Sequence, residues 1–365
     1  MIYAENLLKF LIKKDINFFS GVPDSILKNF CDIIENDKNH YSSTNEGSAV
    51  SLGIGHYLST KKIPCIYLQN SGLSNALNPL ISIMHKKVYS IPSIFIIGWR
   101  GSPGIKDEPQ HLVKGGITEN ILKSLNFKYI VLNDQRDFAK LSKLIDYSKK
   151  KLTPVFCLVK KNKIISKTKK NKDKNNNKIL RFNFLEKLLI EVKKNTKIIS
   201  TTGYTSRELM KLRENPLTSK GSDFYMVGGM GHSAMVALGI SINNKKEVVC
   251  LDGDGSILMH LGSLSKIGLF AKKNFKHILL NNYSHESVGG QKTLSKKINF
   301  KTLTKSMGYK KYFFLKNNQN IRKIIKKFLN SDGPSFLEVC IKNESIKNLP
   351  RPEDLYLIKN KFMKK

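Results

Sequence analysis

The sequence lacks the marks of a membrane-spanning or secreted protein. Its richest apolar stretch, residues 91–99, is too short to cross a bilayer as a helix, which takes about 20 apolar residues. The N-terminus has neither the basic segment nor the long apolar segment of a secretion signal. The five cysteines are scattered and form no CxxC pair, which speaks against a disulfide framework and against structural zinc. We therefore expect buried free thiols in a cytoplasmic protein.

Acidic residues are scarce as well. The chain has 28 Asp and Glu against 63 Lys and Arg, a formal net charge of +35. Such an excess can indicate binding to nucleic acid or to an anionic membrane. However, the lysines are spread along the whole chain, as a general compositional bias would also produce, and an anionic small substrate explains positive charge at least as well. We predict a small anionic substrate and neither nucleic acid nor membrane as partner; a basic nucleic-acid-binding protein is the alternative from a different class.

The order of patterns along the chain predicts an α/β fold. With 40% apolar residues in 365, the chain has a soluble globular composition and the length of two domains. Short apolar strands alternate with amphipathic helical patterns, as in parallel sheets that helices cover on both faces. Strands, some ending in glycine-containing loops, are predicted at 16–21, 63–72, 91–101, 127–133, 153–159, 197–203, 247–253 and 275–282, and helices at 7–12, 24–34, 182–192 and 256–270. We expect two doubly wound parallel-sheet domains.

A lysine-rich segment separates the two halves. Nine lysines and one aspartate lie between Lys160 and Lys178, with little to bury, which favours a solvated linker over a nucleic-acid patch. We therefore predict a first domain at 1–160, a linker at 161–180 and a second domain at 181–365.

The loop after the strand at 247–253 combines glycines with a carboxylate. Gly253 and Gly255 suit a loop whose bare amides face a phosphate, but Asp254 between them would repel one. Twenty-five residues separate Gly255 from Asn281, enough for a βαβ crossover, so adjacent parallel strands bring Asp254 and Asn282 to one carboxyl edge. A carboxylate and an amide oxygen side by side suit Mg²⁺, through which the loop could hold a phosphate. A tight turn with a capping Asp is the structural alternative.

These motifs resemble a known family. The spacing of GDG at 253–255 and NN at 281–282 is similar to the metal and diphosphate signature of thiamine-diphosphate enzymes. The surrounding LDGDGSILMHLGSL and LLNNYSHESVGGQ resemble the phosphonopyruvate decarboxylases in particular, and TTGYTSREL at 201–209 and VGGMGH at 227–232 resemble their cofactor loops. The resemblance implies Mg²⁺ ligands at Asp254, Asn282 and the carbonyl of Ser284. It implies cofactor contacts at Gly203, Tyr204, Gly228, Met230, Gly253, Gly255 and Ser256.

Two of these cofactor contacts have specific implied roles. By the resemblance, Met230 is wedged between the two rings of thiamine diphosphate, and the carbonyl of Gly228 receives the aminopyrimidine amine. Core packing is the more common role of a methionine and is the alternative for Met230.

The first half carries further segments similar to these decarboxylases. In TNEGSAVSLGIGHYL the resemblance places Glu46 against the aminopyrimidine ring, where a hydrogen bond to a ring nitrogen favours the imino tautomer that deprotonates the thiazolium carbon. Read alone, TNEG is only a helix start with a first-turn acid. FSGVPDSIL and IPSIFIIGWRGSPGIKDEPQH contain Asp24 and His111, which are candidate catalytic groups, although Asp24 also fits a helix cap.

Four basic or polar side chains are candidates to hold the substrate. Arg100 and Lys106, together with His111, suit a dianionic head because Arg and Lys best meet a cluster of phosphonate oxygens. His285, close to Asn282, is a candidate to contact phosphate or to relay a proton, and a plain loop histidine is the alternative.

The resemblance covers nearly the whole chain and implies a function. It implies a pyrimidine-binding domain followed by a diphosphate-binding domain, with little room for a third. The implied reaction is thiamine-diphosphate- and Mg²⁺-dependent decarboxylation of 3-phosphonopyruvate to phosphonoacetaldehyde and CO₂ in phosphonate biosynthesis. Sulfopyruvate decarboxylase, or a decarboxylase of another 2-oxo acid, is the alternative within the class. Family architecture also implies that the cofactor lies between the first domain of one subunit and the second of another, so we expect a homodimer or a higher homo-oligomer.

Overall fold

Each half of the chain builds its own parallel sheet of six strands. In the computed structural model, which describes residues 1–168, 177–317 and 320–364, contacts divide the chain into two units, Met1–Lys172 and Asp173–Lys365. The two units are described separately below.

The first unit alternates strands and helices. Its strands are β1 (Ile2–Tyr3), β2 (Phe19–Gly21), β3 (His40–Ser42), β4 (Cys65–Gln69), β5 (Ser93–Gly98), β6 (Lys128–Leu132), β7 (Pro154–Val159) and β8 (Ile164–Ile165). Its helices are α1 (Ala4–Lys13), α2 (Lys28–Ile34), α3 (Glu46–Thr60), α4 (Leu73–Pro79), α5 (Pro109–Ser124) and α6 (Phe138–Lys151). The main sheet has the order β3-β2-β4-β5-β7-β6, and β1 pairs with β8 in a separate sheet.

The second unit is built in the same way. Its strands are β9 (Lys197–Ser200), β10 (Ser222–Tyr225), β11 (Val248–Gly253), β12 (Phe275–Asn281), β13 (Lys311–Leu315) and β14 (Ser335–Cys340). Its helices are α7 (Arg181–Glu191), α8 (Tyr204–Leu212), α9 (Ser233–Ile242), α10 (Asp254–Met259), α11 (Ser263–Phe270), α12 (Phe300–Ser306), α13 (Ile321–Leu329) and α14 (Leu355–Lys364). The sheet has the order β10-β9-β11-β12-β14-β13, and all its pairings are parallel.

Both main sheets are buried on both faces. In β4, Cys65 and Tyr67 belong to one hydrophobic cluster, while Ile66 and Leu68 belong to another on the opposite face. The residues of β11 divide between two clusters in the same way. Burial on both faces explains why these strands appear in the sequence as continuous apolar runs without alternation. The predicted fold class of two doubly wound parallel sheets is confirmed.

Two helix predictions need correction. The predicted helix at 24–34 begins only at Lys28, because the carboxylate of Asp24 accepts hydrogen bonds from the backbone amides of Ile26 and Leu27 and holds a turn there. The single helix predicted over 256–270 is wrong. It is interrupted between α10 and α11, where His260 leaves the helical conformation two residues before Gly262.

The predicted linker at 161–180 is packed at both of its ends. Ile164 is buried and pairs with Ile2, and Ile179 is buried and forms a bridge with Ile341, so these ends are not solvated as the prediction had them. Residues 169–176, which form the middle of the predicted linker, lie outside the described part of the chain. The boundary between the units, after Lys172, falls within this segment.

Two expectations drawn from composition can be compared with the structure. All five cysteines are free and buried, which confirms the prediction for the thiols. Within residues 1–168, 177–317 and 320–364, no helix is both long enough and apolar enough to span a membrane.

Candidate active site

The two sheets share one strand order, and this order fixes where a ligand can bind. Leaving aside β1 and β8, the strands of each unit run second, first, third, fourth, sixth, fifth across the sheet. In such sheets a crevice opens at the carboxyl ends of the first and third strands, where the connections leave in opposite directions. These strands are β2 and β4 in the first unit and β9 and β11 in the second. Most of the candidate residues lie at or beside these four strand ends.

In the second unit, Asp254 is a buried carboxylate at the carboxyl edge. It follows β11 directly, is 2% exposed, and accepts hydrogen bonds from the hydroxyls of Thr293 and Ser295. Burial raises the pKa of Asp254 to about 6, although the two hydroxyl donors oppose the shift. Because Gly253 in β11 pairs with Leu280 in the neighbouring β12, Asp254 and the residue after β12 leave the sheet at the same edge, as predicted.

The residue after β12 is Asn282, whose side chain is firmly held. Its Nδ2 donates to Oε2 of Glu286 over 3.0 Å, and its Oδ1 accepts from the backbone amide of Ser284 over 3.1 Å. Ser284 is buried, and its hydroxyl has no hydrogen-bond partner among the described residues. An acidic and an amide side chain therefore stand at one edge, where the sequence predicts a metal.

Ser256 joins the three loops that the sequence assigns to a cofactor. Its hydroxyl accepts from the backbone amide of Gly231 over 3.0 Å and from the hydroxyl of Thr201 over 3.1 Å. Gly229 and Gly231 have φ angles of 64° and 93°, in the left-handed region that favours glycine. The intervening Met230 is half-buried and, among the described residues, belongs to neither hydrophobic cluster of its unit, so it is not explained as core.

His285 packs against the start of α10. A Cβ atom on Gly255 would lie only 2.7 Å from the His285 ring, so the glycine leaves room for the imidazole. Burial lowers the pKa of His285 to about 4, which makes the ring neutral near pH 7. At this position His285 can offer or accept a hydrogen bond, but it brings no positive charge.

The start of α8 brings the remaining predicted cofactor residues. Gly203 precedes the helix with a φ of 92°, and the Tyr204 ring lies 5.5 Å from the Arg181 guanidinium and 4.6 Å from that of Arg207. The edge of the crevice beside β9 is therefore lined by an aromatic ring between two cations.

In the first unit, Glu46 is a buried acid next to the end of β4. It is the first residue of α3, and its Oε2 accepts from the side-chain amide of Asn75 over 2.9 Å. Burial raises the pKa of Glu46, while Asn75 and the charge of Lys114 pull it the other way. The helix start read from TNEG is present, but the carboxylate points inward. A Cβ atom on Gly72 would lie 2.0 Å from the carboxylate oxygen, so Gly72 provides the space that Glu46 occupies.

This close approach gives a testable prediction for Gly72→Ala. The added methyl group has to displace the Glu46 carboxylate, and we expect a loss of about 1–3 kcal/mol in the free energy of unfolding, measured in urea. Gly116→Ala is the control, because no described atom outside the backbone of its own helix lies within 4 Å of a Cβ atom there and the residue is exposed on α5. That variant should keep or gain stability, by up to about 1 kcal/mol. Equal stability of both variants would contradict the packing described for Glu46.

Asp24 is the second buried acid of the first unit. Its Oδ2 accepts from two backbone amides at 3.1 Å, and its Oδ1 has no partner among the described residues. Burial raises the pKa of Asp24 to about 6, against the backbone donors and the charge of Arg100. The alternative of a helix cap is therefore wrong for Asp24, because Leu27 is the N-cap residue of α2 and Asp24 holds the turn that precedes the helix.

The raised pKa of Asp24 predicts a pH dependence of stability. The pKa is about 6 in the folded chain and about 4 in an unfolded one, so the folded state binds this proton more tightly. The contribution of Asp24 to stability is therefore greatest below pH 4 and falls by about 3 kcal/mol as the pH rises to 7. Asp24→Asn lacks this titration. The difference in the free energy of unfolding between wild type and variant, measured in urea, should therefore fall by about that amount between pH 4 and 7. A difference that does not change with pH would refute the raised pKa of Asp24.

The predicted substrate residues of the first unit differ in their surroundings. Arg100 makes a two-pronged ion pair with Asp107, at 2.7 and 2.5 Å, so its charge is already matched by a carboxylate. Lys106 is exposed. His111 is half-buried, and its Nδ1 has no hydrogen-bond partner in the described part of the chain. Burial, aided by Arg100, lowers the pKa of His111 to about 4. At neutral pH His111 is therefore an uncharged group.

Several polar residues that take part in these crevices were not predicted from the sequence. In the second unit these residues are Thr293, Ser295, Glu286 and Arg181, and in the first they are Asn75, Asp107 and Lys114. The Nζ of Lys114 donates to the carbonyl of Ser71 over 3.2 Å. They lie in loops or on helices whose approach to the sheet edge leaves no local pattern. The segment QKTLS at 291–295 is the one visible signal, because it stands close after the NN motif and is rich in hydroxyls.

Comparison with known proteins agrees with this architecture. Residues 1–124 match the N-terminal thiamine pyrophosphate binding domain of thiamine pyrophosphate enzymes, and residues 202–339 match the C-terminal one. The phosphonopyruvate decarboxylase of Streptomyces viridochromogenes is 32% identical over 97% of this chain and 92% of its own. That of Streptomyces hygroscopicus is 32% identical over 97% of this chain and 91% of its own. The β subunit of sulfopyruvate decarboxylase from Methanocaldococcus jannaschii is 31% identical over 50% of this chain and 95% of its own.

The matched segments include both crevices, since Glu46 and Asp24 lie in the first match and Asp254 and Asn282 in the second. The similarity to the Streptomyces enzymes extends over almost the full length of each protein. The chain therefore belongs to the phosphonopyruvate decarboxylase family of thiamine-diphosphate-dependent enzymes.

Proposed function

We propose that this protein decarboxylates 3-phosphonopyruvate to phosphonoacetaldehyde and CO₂, using thiamine diphosphate and Mg²⁺, in the cytoplasm and in the service of phosphonate biosynthesis. The observation that carries the proposal is the full-length similarity to two phosphonopyruvate decarboxylases. The buried acid beside each crevice supports it, because a thiamine-diphosphate enzyme needs an acid toward the aminopyrimidine and a carboxylate toward the metal.

The second unit fits the metal and the diphosphate. Asp254 is a carboxylate that burial destabilises, and a bound cation would relieve that destabilisation. Together with the amide oxygen of Asn282 and the carbonyl of Ser284, it would form the all-oxygen ligand set that Mg²⁺ prefers. The bare amides around Gly255 and Ser256 would face the diphosphate. Gly203, Tyr204, Gly228, Met230 and Gly253 would hold the rest of the cofactor.

The first unit supplies the acid–base groups. When bound, thiamine diphosphate supplies the electron sink that loss of CO₂ from a 2-oxo acid requires. Burial raises the pKa of Glu46 and so favours its protonated form, and the carboxyl group would share a proton with a ring nitrogen of the aminopyrimidine. Oδ1 of Asp24 and Nδ1 of His111, which have no hydrogen-bond partner among the residues that the structure describes, are the groups that would exchange a proton with the substrate or product.

The substrate's dianionic head needs cations or hydrogen-bond donors. Arg100 and the exposed Lys106 are the proposed cations, and Asp107 would fix the guanidinium in place while compensating part of its charge. His285, as a neutral ring, would contribute a hydrogen bond and no charge.

A homodimer is the proposed minimal active unit. A shallow cavity of about 770 Å³ is lined by Asn45 and Gly47, the chain neighbours of Glu46, and by Ser51, Leu52 and Ile83, among others. Small and apolar residues at this position suit the close approach of a second subunit carrying a cofactor. Sedimentation equilibrium should give a mass of at least twice 41.5 kDa, and an active monomer would refute this part of the proposal.

The test of function is CO₂ release by the purified protein. Phosphonopyruvate, sulfopyruvate and pyruvate are offered in parallel with thiamine diphosphate and Mg²⁺, and the aldehyde is reduced by a coupled dehydrogenase. We expect a clear preference for phosphonopyruvate that disappears when Mg²⁺ is chelated. A preference for sulfopyruvate would assign the chain to the substrate named for its Methanocaldococcus relative. No release from any of the three would refute the proposed function.

A further inference from the structure

A buried arginine with two carboxylates stands behind the proposed metal ligands of the second unit. Arg181, the first residue of α7, is 4% exposed. Its Nε donates to Oε2 of Glu208 over 3.1 Å, and its Nη1 and Nη2 donate to Oε2 of Glu286 over 3.1 Å. Taking three charges out of water is expensive, and such a network often adds little net stability.

The two carboxylates differ in one contact. Oε2 of Glu286 also accepts from Nδ2 of Asn282 over 3.0 Å. Glu208, on α8, also accepts from Arg181, but its other partner among the described residues is the backbone amide of Ile346 and not Asn282. Both glutamates therefore neutralise the same guanidinium, and of the two it is Glu286 that is seen to reach the amide group.

A carboxylate beside an amide decides which way the amide points. An ionised carboxylate can only accept hydrogen bonds, so it binds the NH₂ end of Asn282 and would repel the oxygen end. The amide oxygen is thereby turned away from Glu286, to the side where the backbone amide of Ser284 donates to it. A metal ligand needs such an orientation, because a rotation by 180° would present two N–H groups to the cation.

Arg181 determines what Glu286 can do. Its two Nη groups both bond to the oxygen that serves Asn282, and the Tyr204 ring packs 5.5 Å from the guanidinium. Without this partner, Glu286 would be a buried negative charge free to turn toward a cation. With Arg181 in place, the Glu286 carboxylate stays where it accepts the hydrogen bond from Asn282, the proposed metal ligand.

We infer that Glu286, held by Arg181, is a positioning residue that orients the side-chain amide of Asn282 toward the divalent cation. The inference rests on the proposed Mg²⁺ site of Asp254 and Asn282. Glu286 and Arg181 would then support a metal ligand from behind, and this role would explain why their ion pair is buried.

The test is binding of Mn²⁺, used as a probe for Mg²⁺ and followed by the electron paramagnetic resonance signal of the free ion, with saturating thiamine diphosphate. Glu286→Gln should weaken Mn²⁺ affinity about 10–100-fold, the range typical of partners behind a metal ligand. Glu208→Gln is the matched control. It removes a carboxylate from the same arginine without touching Asn282, so its affinity should stay within about threefold of wild type. Equal weakening by both variants would overturn the inference.

A double-mutant cycle separates positioning from direct ligation by Glu286. In the background Asn282→Ala, the further change Glu286→Gln should alter Mn²⁺ affinity by less than about twofold if it acts through the amide. A full and independent loss in that background would make Glu286 a ligand and overturn the positioning role. If Glu286→Gln does not fold, Arg181→Lys takes its place, because it keeps the buried charge but cannot serve both carboxylates. Unchanged affinity in Arg181→Lys would then overturn the inference.

The same titrations distinguish this inference from the proposed site. If Asp254→Asn and Asn282→Ala bind Mn²⁺ as tightly as wild type, the metal site itself is wrong. If both bind weakly while Glu286→Gln binds normally, the site stands and the positioning role alone is wrong.

Discussion

Glu46→Gln is expected to release CO₂ from phosphonopyruvate about 10²–10⁴-fold more slowly than the wild type, because the variant cannot hold an exchangeable carboxyl proton. Gln has the shape of Glu, and its carbonyl oxygen can accept the hydrogen bond that Asn75 gives to Glu46 over 2.9 Å. Since burial disfavours the charged form of Glu46, a neutral amide there should not destabilise the fold. Initial rates measure the effect, and calorimetric titration checks that thiamine diphosphate still binds.

The matched control is Glu119→Gln, which removes a carboxylate from α5 where it accepts from the hydroxyl of Tyr129 over 2.9 Å. Its turnover should be that of wild type. Near-normal turnover in Glu46→Gln would remove Glu46 from the acid–base chemistry. If the variant instead fails to bind thiamine diphosphate, Glu46 is a binding residue and the proton has to be handled elsewhere.

Asp254→Asn should lose Mn²⁺ and thiamine diphosphate affinity by more than the roughly 10–100-fold expected for a group behind a ligand, since Asp254 is proposed to contact the cation itself. The amide oxygen of Asn can still accept from Ser295, as the carboxylate does over 2.9 Å, so the loop should keep its shape. The free energy of unfolding of the metal-free variant should equal or exceed that of the wild type, because a destabilised buried carboxylate has been replaced.

Asp332→Asn serves as the control for net charge. This residue is exposed on the second unit, and the variant should bind both Mn²⁺ and cofactor normally. Should Asp254→Asn bind the cation as tightly as this control, Asp254 is a structural acid and the diphosphate is held without it. A loss of affinity together with a cooperative unfolding transition unlike that of wild type would point to misfolding, which the urea measurement detects.

The adjacency of Asp254 and Asn282 could be predicted from the sequence because it depends on topology alone. The twenty-five residues after Gly255 hold a helix and a second strand, which favours a right-handed crossover, and parallel pairing then brings both strand ends to one edge. The two-sided burial of the strands was visible for a similar reason, as uninterrupted apolar runs. These features follow from periodicity and length, which a sequence contains directly.

The partners of these residues could not be predicted. Thr293, Ser295 and Glu286 reach Asp254 and Asn282 from a segment between β12 and α12 that has no periodic pattern, and Arg181 arrives from the start of a helix more than 70 residues earlier in the chain. Nor could periodicity show that α10 ends at Met259, because the apolar pattern continues through the interruption. Where packing between distant segments decides, a single sequence leaves the outcome open.

Each unit has its own sheet, its own pair of hydrophobic clusters and its own crevice, so each contains what a domain needs to fold. A gene divided within the lysine-rich segment should therefore yield two polypeptides that fold separately, and a relative that spans half of this chain is itself named as a subunit. Fusion then contributes stoichiometry: every ribosome that makes the half with Glu46 also makes the half with Asp254, so neither half is in excess when two chains meet.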